Sequence, residues 1–402
     1  MIAPQSSLQS PRPLDGVTVV SLEHAIAAPF CTRQLADMGA RVIKIERPGA
    51  GDFAREYDKR VRGLSSHFVW ANRSKESLTL DLKQADAQLV LTRLLESADV
   101  LVQNLAPGAA ARLGLSFESL HTKYPRLVVC DISGYGAGGR YENKKAYDLL
   151  IQSESGFLST TGTPTEPVKA GCSISDIAAG MYAYSSILSA LLLRERTGQG
   201  SRLDVSMLES MIEWMGFPMY YAFNGAAPAP RAGAAHATIY PYGPFPVGQG
   251  SDVMLGLQNE REWAAFCTTV LKQSDLAHDA RFASNSLRVQ NKDILRLLIV
   301  TVFASLSREQ VLQRLDAAQI ANASVNTMSD VWDHPQLAAR DRWRQIDSPA
   351  GPLPALIPPA SSSAFQARMD PVPALGEHNA DILAELGYSD DQVRDLKLQG
   401  VI

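Results

Sequence analysis

Carboxylates offer the most usable chemistry in this chain. Asp176 stands where a loop of small residues, KAGCSISD, gives way to the longest apolar helical pattern, so its carboxylate is expected at a helix N-terminus. There it can serve as a cap, accepting hydrogen bonds from first-turn amides. It can equally serve as a nucleophile, because an Asp of ordinary pKa is already ionised at neutral pH and needs no base. Attack on an acyl group also requires donors aimed at the developing oxyanion, and the free amides of a helix start supply them. A second group, Ala146 to Asp148, opens the segment LLIQSESG; Tyr147 can hydrogen-bond a reacting oxygen or sit as an amphipathic residue at a domain rim. Lys144 and Lys145, just before it, can hold phosphates or form a solvated surface pair.

Other chemistries lack their patterns. Seven histidines show no HxxxH, HExxH or Cys-His spacing, so no metal site is expected. There is no GxSxG elbow, and the serines of GCSISD have no neighbouring His. The turn after the first strand, EHAIAAPF, holds none of the glycines of a dinucleotide fingerprint, so neither nicotinamide nor flavin is expected. GYGAGGR, at Gly134 to Arg140, lacks the GK[ST] of a P-loop and reads as a flexible connection. A net charge of −4 with dispersed Lys and Arg gives no field for nucleic acid or an anionic membrane. Four widely spaced cysteines suit free thiols in a reducing cytoplasm, and the Pro- and Ser-rich start has no apolar stretch of a signal peptide.

Positioning these residues falls to an α/β arrangement. From Gly16, GVTVVSLE, RVIKIE, SLTLDL, DVLVQN and RLVVCDISGYG read as strands, alternating with helices near Pro29 to Met38, Ala85 to Glu96 and Phe117 to Lys123. That alternation implies a mostly parallel sheet. The 402 residues, 46% hydrophobic, suit two domains. The boundaries expected are a disordered lead over 1–15, a large domain over 16–225, a small domain with linkers over 226–338, and a C-terminal segment over 339–402 returning to the large domain. The run NGAAPAPRAGAAHATIYPYGPFP marks the linker, and Met207, Met211, Trp214 and Met215 lie at helical spacing as core packing.

The blocks GARVIKIERPGAGDFAR, FVWANRSKESLTLDL, DVLVQNLAPGAAARLG, SISD, YPYGPFP and GEHNADILAELGY, in this order, resemble the class III CoA-transferases, whose relatives include the α-methylacyl-CoA racemases. The resemblance implies a Rossmann-like large domain, a smaller α+β domain and an interlocked homodimer. It implies coenzyme A, carried as an acyl-CoA substrate, and a carboxylic acid acceptor. It makes Asp176 the nucleophile, with Tyr147 beside it, and passes through an aspartyl anhydride and an aspartyl-CoA thioester. It places Asn104, Leu105 and Arg112 along the CoA site, with Lys75 and Lys145 approaching its phosphates. Ile26 stands where formyl-CoA transferase has a substrate-loop glutamine, and no polyglycine loop is found, which argues against formate and oxalate. Tyr147 stands where the racemases carry a histidine, which weakens isomerisation, the alternative activity; carnitine is a further alternative acceptor. SLEHAIAAPF, GDFAR and RAGAAHATIYPYGPF look most like the branch acting on mesaconate, itaconate and citramalate. On that resemblance, Arg231 and His236 receive a distal carboxylate.

Overall fold

Strand RVIKIE carries the lesson of this fold, because its alternation suggests one wet face and yet it is buried along nearly its whole length. The reason is topological: a parallel sheet is covered on both faces, so its strands are shut off from solvent on both. The structure, a computed structural model, describes residues 11–250 and 252–402. In chain order the elements that matter here are β1 (Thr18–Leu22), α1 (Ala27–Asp37), β2 (Arg41–Glu46), β3 (Lys75–Thr79), α2 (Ala85–Glu96), β4 (Val100–Gln103), β5 (Val128–Ser133), α3 (Asp148–Glu154), α4 (Ile174–Thr197) and β6 (Arg202–Ser206). The six strands form one sheet in the order β3-β2-β1-β4-β5-β6, and every pairing is parallel. This is the doubly wound Rossmann order, in which the chain reverses direction across the sheet between β1 and β4.

The chain divides into two units, one of residues 1–155, 170–215 and 339–402, the other of 156–169 and 216–338. Residues 156–169 and 216–225, expected in the large domain, thus group with the second unit. Residues 11–15, expected in the disordered lead, instead form a turn in which Leu14 is buried and its amide donates to the Met38 carbonyl. The rest of that lead, residues 1–10, lies outside the described residues.

In the first unit, α2 packs its Val90, Leu91, Leu94 and Leu95 against the sheet in a core that also takes Ile382, Leu383, Leu396 and Val401 from the C-terminal segment. Burying four such side chains contributes several kcal/mol by transfer free energy alone. Helix α4 packs against α1, and the contact is close: a Cβ on Gly180 would stand 2.7 Å from the Ala27 carbonyl oxygen. Among the described residues α4 is the one helix long and apolar enough to cross a membrane, yet its Ala178, Ala179, Ala183 and Ile187 are buried within the fold. Met207, Met211 and Met215 are buried as expected, whereas Trp214 is exposed. Trp343–Ile346 and Leu353–Leu356 form a separate antiparallel pair. The second unit has an antiparallel sheet of Tyr242–Phe245, Val253–Gly256 and Ala321–Ser324 around a core that includes Trp263, Phe266, Phe282 and Phe303.

Candidate active site

The start of α4 is held by α3. Ser173 is the N-cap but makes no side-chain capping bond. Instead Asp148, the first residue of α3, accepts hydrogen bonds at Oδ1 from the Ser175 amide (2.8 Å) and the Asp176 amide (3.4 Å), and at Oδ2 from the Gln152 side chain (2.6 Å). Gln152 Oε1 in turn accepts the Ala170 amide. The amides expected to be free for an oxyanion are therefore engaged by a carboxylate from another helix. Sequence reasoning missed Asp148 because its partners lie 27 and 28 residues away; the signal available was an Asp opening a helix just ahead of the SISD loop.

Asp176 is the third residue of α4 rather than its cap, and it is half-buried. No hydrogen bond or ion pair from a described residue reaches its carboxylate. Burial first, and then the charge of Asp148, push its pKa from 3.8 up to about 7. The helix dipole favours an anion in the first turn, but only by about 0.3–1 kcal/mol, less than this shift represents. The expectation of an ordinary, fully ionised Asp is thus corrected: at neutral pH the group is near its midpoint. A carboxylate so raised is more basic and a stronger nucleophile once its proton is lost. Tyr147 is the residue before α3 and is exposed. Gly134, at the end of β5, lies so close to Ala146 that a Cβ there would come within 2.2 Å of it, which fixes the segment carrying Tyr147 and Asp148 against the sheet.

At the β1/β4 reversal the loop after β1 is held under strain. Ala25 has φ +61°, and its amide donates to Asp52 Oδ1 (3.1 Å). Asn104, just after β4, clamps His24 at two points: Oδ1 accepts the His24 amide and Nδ2 donates to the His24 carbonyl, both at 2.9 Å. The Leu105 amide donates to Gln103 Oε1. Asn104 and Leu105 therefore stand at the crevice where ligands of this sheet type bind, with the Asn104 side chain occupied in shaping it. Backbone strain of this kind collects at functional sites. Arg112, exposed at the end of the helix Ala109–Arg112, has no partner among the described residues. Of the lysine pair, Lys144 pairs with Glu154 and lies over the Tyr135 and Tyr141 rings, whereas Lys145 is exposed and has no partner among the described residues.

Two expected site residues are placed elsewhere. Lys75 is buried, and Nζ spends its three protons on Glu23 Oε1 (2.7 Å), the Pro29 carbonyl (3.0 Å) and Asn72 Oδ1 (3.0 Å), so it has no face for a phosphate. β3 lies at the edge of the sheet against β2, with Lys75 turned inward. Ile26 is 5% exposed and packs in the core, so it offers no side chain to a substrate. In the second unit, Arg231 donates from Nε to the Thr163 carbonyl and from Nη2 to the Pro164 carbonyl. His236 accepts the Thr238 and Ile239 amides at Nδ1 and stacks on Tyr242. Both side chains are engaged with the backbone in the way a structural loop requires. No group of three or more His, Cys, Asp or Glu suited to a metal occurs among the described residues.

A doubly wound parallel sheet with a strained loop at its strand-order reversal defines an α/β protein with a ligand crevice at that reversal. The CoA-transferase family III model matches residues 14–379, and the chain belongs to that family. It is 33% identical to an acyl-CoA transferase of Fusarium pseudograminearum over 99% of this chain and 90% of that protein. It is 32% identical to succinyl-CoA:glutarate CoA-transferase of Mus musculus, over 99% and 92%. The crystal structure of a CAIB/BAIF family protein from Brucella suis superposes with a TM-score of 0.83 at 34% identity, covering 94% of this chain and all of that one. Other relatives, 30 to 36% identical, are named as oxalate, D-citramalate and mesaconate CoA-transferases. The protein is a class III CoA-transferase, an enzyme whose substrates are CoA thioesters and carboxylic acids.

Proposed function

We propose that the enzyme moves CoA from succinyl-CoA to a short branched dicarboxylate such as itaconate, mesaconate or citramalate, with Asp176 as the covalent carrier. The observation that supports this is the unpartnered Asp176 carboxylate, raised to about 7 by burial and by Asp148. An Asp176 oxygen attacks the thioester carbon, the C–S bond breaks, and CoA thiolate leaves an anhydride joining Asp176 to the succinyl group. The thiolate then attacks Asp176 Cγ, releasing succinate and leaving an aspartyl-CoA thioester. The acceptor carboxylate displaces the thiolate to form a second anhydride, and the thiolate takes the acceptor acyl group, freeing Asp176. No proton is consumed overall. Tyr147 donates a hydrogen bond to the carbonyl oxygen as charge builds on it.

Asn104 and Leu105 line the CoA crevice, and Arg112 and Lys145 meet its phosphates as cations that no described residue pairs. Arg231 and His236 retain a role at the acceptor only through the nitrogens that their backbone bonds leave over. Two chains interlock as a homodimer in the cytoplasm. Relatives named for citramalate and mesaconate support a dicarboxylate acceptor, and so do those named for glutarate. The test is a panel of mono- and dicarboxylic acids, including oxalate, glutarate and carnitine, incubated with succinyl-CoA and read by mass spectrometry. A branched C5 dicarboxyl-CoA is expected as the dominant product. Dominant carnitinyl- or oxalyl-CoA contradicts the acceptor class, and deuterium uptake at an α-carbon without acceptor contradicts transfer in favour of racemisation.

A further inference from the structure

Gln152 lies on α3 one helical turn after Asp148, so the two side chains share a face, and Gln152 is fully buried. Its Oε1 accepts the Ala170 amide at 2.9 Å, and its Nε2 donates to Asp148 Oδ2 at 2.6 Å. A carboxamide has one accepting end and one donating end, whereas a backbone N–H can only donate. The Ala170 amide therefore fixes which end of Gln152 faces Asp148, and that end is the donor. Asp148 accepts it at Oδ2, while its Oδ1 accepts the Ser175 amide at 2.8 Å and the Asp176 amide at 3.4 Å.

This chain of bonds ties down the segment from Ala170 to Asp176 at both ends. Nothing local does so at the start of α4, because the N-cap Ser173 makes no side-chain capping bond. Between the two anchors Gly171 and Cys172 are exposed, whereas Ser175 is fully buried. The place of the first turn of α4 is thus set from α3, and Asp176 is carried with it. We propose that Gln152 is a positioning residue for acyl transfer: its carboxamide, oriented by the Ala170 amide, holds Asp148 as an acceptor against the first turn of α4 and so fixes where the Asp176 carboxylate stands. The inference rests on the reading of Asp176 as covalent carrier. Gln152 is buried away from substrate and acts through Asp148. The stake is alignment of the attacking oxygen, since a displacement of about 1 Å costs as much as a hundredfold in rate.

These bonds have a polarity that can be reversed. Gln152→Glu keeps the size and the acceptor for Ala170, but sets an oxygen against Asp148 Oδ2. Asp148→Asn keeps an acceptor for the two α4 amides, but sets a donor against Gln152 Nε2. Combining the two substitutions restores one donor facing one acceptor, now running from position 148 to position 152. Gln152→Met keeps length and net charge while removing both bonds.

The test is single-turnover acylation of Asp176 by succinyl-CoA at pH 8, quenched with hydroxylamine and read by mass spectrometry, with circular dichroism reporting the fold. It gives a maximal rate and a half-saturating concentration for wild type, the three single variants and the double variant. Each single variant is expected to lower the maximal rate by roughly tenfold or more while half-saturation stays within about twofold. The double variant is expected to recover to within about threefold of wild type. A Gln152→Met enzyme with the wild-type rate, a loss confined to half-saturation, or a double variant no faster than the slower of its parents overturns the inference. If Gln152→Glu does not fold, a double variant that folds and reacts supports the same polarity, and one that folds without reacting overturns it. A wild type that turns over with Asp176 unmodified fails the underlying reading instead.

Discussion

Two clusters of charge lie in the first unit, one buried and one half-buried, and they differ in how their charges are paired. In the cluster of Glu23, Lys44, Asp52 and Lys75, every charge faces an opposite one. Glu23 accepts Lys75 Nζ at 2.7 Å and the Thr32 hydroxyl at 2.7 Å, and Lys44 reaches both Asp52 and Glu23. Burial raises the Glu23 pKa, but Lys75 and Lys44 outweigh it and hold the carboxyl below its usual range. In the other cluster, Asp148 and Asp176 carry like charge; Asp148 is satisfied by amides, and the Asp176 carboxylate has no partner among the described residues. Fully paired buried charge makes a rigid floor under the crevice. A like-charged pair with one member left over stores reactivity, as perturbed carboxyls at functional sites do.

The largest effect that could break this contrast is at Lys75. Lys75→Met leaves Glu23 buried without its closest cation, and stability should fall by about 3–5 kcal/mol in denaturant unfolding. A stable variant with a raised KM for acyl-CoA alone would return Lys75 to the phosphates and dissolve the distinction between the clusters. The opposite sign is expected at Asp176. Its folded pKa, about 7, lies above the unfolded value, so stability is lost as pH rises from about 4 to 7, by at most about 4 kcal/mol. Asp176→Asn should therefore be more stable than wild type at pH 8, with the gain shrinking at pH 5. A uniform destabilisation would mean that the carboxylate is satisfied in the fold.

Asp148 sharpens the comparison further. The rate of acyl-enzyme formation should rise as pH passes about 7, because the ionised form attacks. Asp148→Asn keeps an oxygen for the two α4 amides but removes the like charge, so the midpoint should move to lower pH while burial keeps it above 3.8. An unmoved midpoint would leave burial as the whole cause. The smallest effect concerns the exposed cations. Arg112→Ala and Lys145→Ala should each raise KM for acyl-CoA several-fold, less so at high salt, whereas Lys144→Ala, already paired with Glu154, should change it little.

The sequence carries α2 to the residue, because its apolar positions recur at helical spacing. It carries α1 to within two residues and the parallel strands in order. It hides the facing of β2 and β3, since Lys44, Glu46 and Lys75 read as wet residues until Glu23, Asp52 and Arg55 are brought beside them. The pair Trp343–Ile346 and Leu353–Leu356 was obscured by prolines, and the helix Asp390–Leu398 by its charge. At the site, Asp176 and Tyr147 were legible as types in suggestive places. The Asp148 bonds, the Asn104 clamp and the strain at Ala25 were not, because each depends on residues 27 to 80 positions apart meeting in the fold.

The most direct measurement is covalent trapping. The enzyme is incubated with succinyl-CoA, quenched with hydroxylamine, digested and sequenced by mass spectrometry. The account predicts a hydroxamate on Asp176 alone, absent without acyl-CoA and unchanged in amount when Arg231 or His236 is replaced by alanine. An active preparation whose Asp176 stays unmodified, or one modified at Asp148 instead, contradicts it.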